Sequence, residues 1–149
     1  MTQPPPLQGI HHLKIAVSDL ARSLDFYQRA FDARRIPEAD HRRRDDGALY
    51  AHILSVPGLG TLLELRLDPA RAQRHSGFDP VTIAVPDRLA LTAWCAHLDA
   101  QQIRHSPIIT AIQAWLVVVE DPDGTRLRLY TLERHGPELP PDENNEWLR

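Results

Sequence analysis

The stretch DPDGTRLRLY, Asp121 to Tyr130, reads as a tight turn running into a strand. Asp-Pro-Asp-Gly supplies the residue types that close a turn. The alternation that follows puts Leu127 and Leu129 on one face, with Arg126, Arg128 and Tyr130 on the other. Upstream, AIQAWLVVVE supplies the other arm of the hairpin, and IRHSPI before it is a further extended piece. Further back, VTIAV is a strand and PDRLALTAWCAHLDAQQ a helix with Pro86 near its first turn. The order is therefore strand, helix and three strands.

The same order occurs once before. HHLKIAV is a strand, and SDLARSLDFYQRAF is a helix capped by Ser18 or Asp19 with an apolar stripe at Leu20, Leu24, Tyr27 and Phe31. ARRIPE, GALYAHILSV and TLLELRL follow as extended pieces, separated by the charged HRRRDDG turn and the PGLG turn. The repeat is also literal, because IAVSD at Ile15 to Asp19 recurs as IAVPD at Ile83 to Asp87, 68 positions later. These elements predict an α+β domain of two tandem βαβββ units, residues 9–67 and 80–132, joined by a connector at 68–79. Residues 1–8 and 133–149, both proline-rich, read as tails.

A chain of 149 residues is one domain's worth and can bury a core without staples. Its 20 acidic residues against 17 Lys and Arg, a net charge of -3, give no global positive field to gather nucleic acid or an anionic membrane. HRRRDD is a basic run cancelled by its own aspartates, a solvated hairpin. Cys95 is the single cysteine, which excludes an intrachain disulfide and a cysteine-rich zinc site; it shares a helical face with Leu91, Trp94 and Leu98 and reads as a core thiol. MTQPPPLQG lacks the features of a secretion signal, and no apolar run is long enough to span a membrane, so the expected location is cytoplasmic. Neither a glycine-rich phosphate loop nor a G-x-S-x-G elbow is present.

Two βαβββ units, the S-D-x-x-x-S-L-x-F-Y segment, LLELR and DPDGTRLRLY together resemble the vicinal oxygen chelate superfamily, which includes glyoxalase I, bleomycin-resistance proteins, fosfomycin-resistance enzymes and extradiol dioxygenases. The resemblance covers residues 9 to 132 and implies a cup-shaped mixed sheet with the helices on its outer face. It also implies metal ligands on the first and fourth strands of each unit, where this chain has His12 and Glu64 in the first unit. In the second unit the matching positions are Pro80, which has no donor, and Arg128, whose guanidinium cannot ligate. Metal sites in the family can draw ligands from two chains, so a His12 and Glu64 site completed by water or a second subunit stays open.

On this reading, Arg128 replaces the metal's positive charge and, with Arg66, Arg126 and Tyr130, holds a carboxylate, phosphate or enolate-like oxygen. Glu64 and His52 are the candidate acid or base groups. His41, His75, His97, His105 and His135 show no ligand spacing and read as surface residues. The expected function is binding of a small polar or anionic molecule by a homodimer without the family's full four-ligand metal site, with one divalent metal ion as the single cofactor left open. The alternatives are a lyase, isomerase or dioxygenase using one divalent metal at His12 and Glu64, and a non-catalytic structural or interaction module.

Overall fold

The computed structural model describes Met1 and residues 3–149. The first unit runs β1 (His12–Val17), α1 (Leu20–Phe31), β2 (Arg34–Arg35), β3 (His41–Arg42), β4 (Leu49–Ser55) and β5 (Leu62–Leu67). A short helix α2 (Pro69–Arg74) lies in the connector. The second unit runs β6 (Val81–Val85), α3 (Arg88–Ala100), β7 (Ile109–Thr110), β8 (Trp115–Glu120) and β9 (Arg126–Thr131). Each unit makes its own open mixed sheet, in the orders β1-β5-β4-β2, with β3 also on β4, and β6-β9-β8-β7. In both, the first strand lies parallel to the last.

The repeated pentapeptide has a mechanical meaning. Asp19 and Asp87, the last residue of each copy, are the helix N-caps: their carboxylates accept from the backbone N–H of Arg22 at 2.9 Å and of Ala90 at 2.8 Å. A strand therefore ends and a helix begins within two residues. Leu13, Ile15 and Val17 of β1 and Leu63 and Leu65 of β5 share a core with Phe26, Tyr27 and Phe31 of α1. The same core contains Leu91 and Leu98 of α3 and Leu127 and Leu129 of β9, so both units bury their apolar faces together.

The DPDG turn bolts one unit to the other. Asp121 Oδ1 accepts from the backbone N–H of Asp123 and Thr125 at 2.9 and 3.0 Å, and Oδ2 accepts from the Tyr27 hydroxyl of α1 at 3.0 Å. Asp123 takes the Ser18 N–H at 3.0 Å and the Ser18 hydroxyl at 2.5 Å, and pairs with Arg22 at 3.1 Å. Gly124 has φ +83°, and an added Cβ would collide with the Ser76 side chain, so this turn needs glycine twice over. The Ser-Asp and Phe-Tyr positions of the first unit and the turn of the second are thus one interlocked device.

IRHSPI forms no strand; only His105 bridges to Val119. Ser106 explains the departure: its hydroxyl takes the Val118 N–H at 2.8 Å, a place that a backbone carbonyl would hold in a regular ladder, and Pro107 has no N–H to offer. The C-terminal tail does not trail away either, since Trp147 is buried.

Candidate functional site

Residues directly opposite one another in a sheet point to the same side. Register pairs His12 with Leu62, Lys14 with Glu64 and Ala16 with Arg66. It also pairs Ala51 with Arg66 and Ile53 with Glu64, so His12, Lys14, Glu64 and Arg66 share the face turned away from the helices. Glu64 is wholly buried there, 0% exposed. Three groups converge on its carboxylate: Arg66 Nη2 donates to Oε1 at 3.0 Å, the His41 ring lies 3.1 Å from the same oxygen, and Lys14 Nζ is 3.6 Å from Oε2. Oε2 has no hydrogen bond among the described residues. Lys14, Arg66 and His41 remain between one third and one half exposed, so a partly screened cationic rim surrounds a buried carboxylate.

His41 is thus no idle surface residue. A bulge places it there: His41 pairs with Ala51 while Arg42 pairs with Leu49, which leaves Tyr50 as the extra residue of β4. Tyr50 is re-aimed by the bulge, and the Arg66 guanidinium lies 5.0 Å from its ring centre. His52 goes the other way. It stands opposite Leu65 on the core side, across the sheet from Glu64, and is buried with its Nδ1 2.9 Å from Asp40. Arg35 binds the same carboxylate, and Asp40 is held down at about 2, first by Arg35 and then by the His52 hydrogen bond. Glu64 and His52, the two candidate acid or base groups, therefore stand on opposite faces of the sheet.

The second sheet has the same geometry, with a guanidinium where the first has its buried carboxylate. Val81 pairs with Leu127 as Leu13 pairs with Leu63, so Thr82 and Arg128 occupy the places of Lys14 and Glu64, and Pro80 that of His12. Arg128 is ion-paired with Asp79, Nε to Oδ2 at 2.5 Å, and makes no pair with Glu64. Arg126 pairs with Glu120 at 3.3 Å, and Tyr130 packs beside Leu116, Val118 and Trp147. The four ligand-binding candidates therefore divide between the sheets, with Arg66 in the first and Arg126, Arg128 and Tyr130 in the second.

His12 shares Glu64's face, is exposed, and has its Nδ1 2.9 Å from that of His11. Among the described residues no three His, Cys, Asp or Glu side chains come together as a metal-binding group. Lys14 is the position that sequence reasoning missed with least excuse, because strand alternation from His12 puts it on the same face. A cavity of about 660 Å³ opens elsewhere, between α1 and α3, beside Phe31, Trp94 and His97. There the helix ends are stitched together, with the His97 ring 3.0 Å from the Arg29 carbonyl and Arg29 donating to that of Gln101 at 2.7 Å. Nothing in that cavity matches the charge convergence at Glu64, so volume alone does not select it.

Two interlocked βαβββ units, with charged side chains set on the sheet faces away from the helices, define a class of duplicated α+β folds. The chain belongs to the Glyoxalase/Bleomycin resistance protein/Dioxygenase superfamily, whose family model matches residues 9–129. It is 27% identical over 129 residues to a putative ring-cleaving dioxygenase, MhqA, of Bacillus subtilis (strain 168), covering 83% of this chain and 40% of that protein. The chain thus spans well under half the length of that relative. Among solved structures it is similar to a glyoxylase/bleomycin resistance protein/dioxygenase domain from Frankia sp. EAN1pec, with TM-score 0.66, 21% identity, and 85% and 98% of the two chains covered. It is also similar to the fosfomycin resistance protein FosX of Listeria monocytogenes, with TM-score 0.67, 13% identity, and 86% and 96% covered. Lactoylglutathione lyase from Agrobacterium tumefaciens gives TM-score 0.61 at 16% identity, with 86% and 96% covered. At these identities the structures share the fold. No helix among the described residues is long and apolar enough to cross a membrane.

Proposed function

We propose that the protein binds a compact anionic molecule on the face of the first sheet, without the four-ligand metal centre known in the family. The carrying observation is the Glu64 carboxylate, fully buried with Oε2 lacking a hydrogen bond among the described residues and Lys14 Nζ at 3.6 Å. Lys14 and Arg66 reach solvent and hold the ligand's anionic group, while Glu64 accepts from a ligand hydroxyl or N–H. Arg128 would extend the positive surface from the second sheet once its pair with Asp79 is exchanged for the ligand. Pro80 and Arg128 at two of the four ligand places, and a lysine beside Glu64, all count against a resident cation. The proposal includes a cytoplasmic homodimer in which a second copy completes the cup over Lys14 and Arg66; light scattering checks the dimer.

The competing reading is a metal-dependent lyase, isomerase or dioxygenase, favoured by His12 and Glu64 lying on one face. Calorimetry with a panel of small phosphonates and hydroxycarboxylates tests the proposal. Lys14→Met should weaken binding at least about tenfold, since a charge-assisted hydrogen bond is worth roughly 1.5–3 kcal/mol. A stoichiometric divalent ion in protein purified without chelator, lost in Glu64→Ala, would overturn the metal-free reading.

A further inference from the structure

The end of the chain lies across the second sheet. Trp147, 9% exposed, packs with Ile109, Leu116 and Val118. Leu116 and Val118 stand opposite Tyr130 and Arg128, so this floor belongs to the face away from the helices. The guanidinium groups of Arg104 and Arg126 lie 4.9 and 5.3 Å from the centre of the indole ring. Arg126 Nη1 also donates to the carbonyl oxygens of Trp147 at 3.2 Å and Arg149 at 3.1 Å. An apolar floor, two guanidiniums that lie on the ring while sharing the Glu120 carboxylate at 3.2 and 3.3 Å, and the Arg126 Nη1 donor to adjacent oxygens form a recognition pattern for a flat aromatic molecule bearing an anionic oxygen.

The segment that leads to the present occupant has few ties to the sheet. Residues 137–144 are largely exposed, and their link to the sheet is the Asp142 N–H donating to the Thr110 carbonyl at 2.8 Å. Local release therefore costs the Trp147 contacts and few others, without touching the core shared by the two units. We propose that the Arg104–Arg126 face of the second sheet is a binding site for a compact aromatic anion, with Trp147 as its displaceable internal occupant. A tethered side chain competes at high effective concentration, so the segment sets a threshold that a ligand must exceed. The site stands on contacts separate from those at Glu64.

Indole-3-acetate, a flat ring with a carboxylate, is the probe, and calorimetry the measurement. Trp147→Ala and a chain ending at Asp142 should each bind it at least about tenfold more tightly than the full chain, because the occupant's population no longer reduces the apparent affinity. Arg126→Met in the shortened chain should abolish the gain. Cyclohexaneacetate, which lacks the π face, should bind more weakly than indole-3-acetate. In the unaltered protein, millimolar probe should speed hydrogen exchange at the Asp142, Trp147 and Leu148 amides. Equal affinity of the full and shortened chains would overturn the proposal and leave Trp147 as a plain anchor. So would absence of binding by a shortened chain of native circular dichroism. If both variants fail to fold, unchanged exchange in the unaltered protein overturns it alone.

Discussion

Replacing Asp121 by Asn should change how stability depends on pH more than it changes stability itself. Burial pushes the Asp121 carboxyl up from its ordinary 3.8 to about 6, against the hydrogen bonds from Tyr27, Asp123 and Thr125 that favour its charged form. The folded state consequently binds more protons than the unfolded state between these values. Stability from the neutral carboxyl is full below pH 3.8 and is lost as pH rises through 6. A shift of roughly two pH units corresponds to about 3 kcal/mol over the whole range, of which about 1.4 kcal/mol falls between pH 8 and pH 5. Tyr27 stays protonated throughout, since burial first and the Asp121 carboxylate second raise its hydroxyl well above the usual value. In Asp121→Asn the amide oxygen can still accept the Asp123 and Thr125 N–H groups, and the NH2 can donate to the Tyr27 oxygen, so the lock keeps its shape without a charge. Urea unfolding of both proteins from pH 5 to pH 8 reads the difference, with other titrating groups cancelling between them. The protein should gain about 1.4 kcal/mol relative to Asp121→Asn on going from pH 8 to pH 5. Parallel curves would refute the reasoning, because they would mean that the Asp121 carboxyl titrates alike in the folded and unfolded states.

Gly124→Ala should cost about 1–3 kcal/mol, from a side chain at positive φ together with the collision with Ser76, read as a lowered urea midpoint at constant slope. Pairing Gly124→Ala with Ser76→Gly should recover the steric part and leave the backbone part. Asp40 gives the opposite pH sign from Asp121. Its carboxyl is held near 2, so its contribution is present above pH 3.8 and is lost as pH falls through 2. Asp40→Asn should flatten the acid limb of the unfolding profile, and an unchanged limb would place the acid-sensitive group elsewhere.

Much of the fold was legible in the sequence because its signals are local. The IAVSD and IAVPD copies end in aspartates that cap the helix beginning one residue later, a hydrogen bond spanning three residues. DPDG closes on itself through Asp121 and Gly124, and the alternation in β9 separates its core leucines from its arginines without knowledge of any neighbour. Glu64 and Arg128 could be matched for the same reason, as equivalent places in two copies of one unit.

Tertiary structure alone decided what those places touch. The bulge at Tyr50 depends on how β3 meets β4, and it brings Tyr50 and His41 toward Glu64 while His52 faces the core. Nothing local in Leu49–Ser55 reveals a bulge, since alternation assumes unbroken register. The partner of Asp121 lies 94 residues away at Tyr27, and Trp147 reaches Arg126 across 21 residues. Such contacts form because buried polar groups must find donors and exposed aromatic rings find apolar floors, wherever along the chain these lie. Sequence therefore determined the repeat, the caps and the turn; the chain's closure on itself decided which charges face one another.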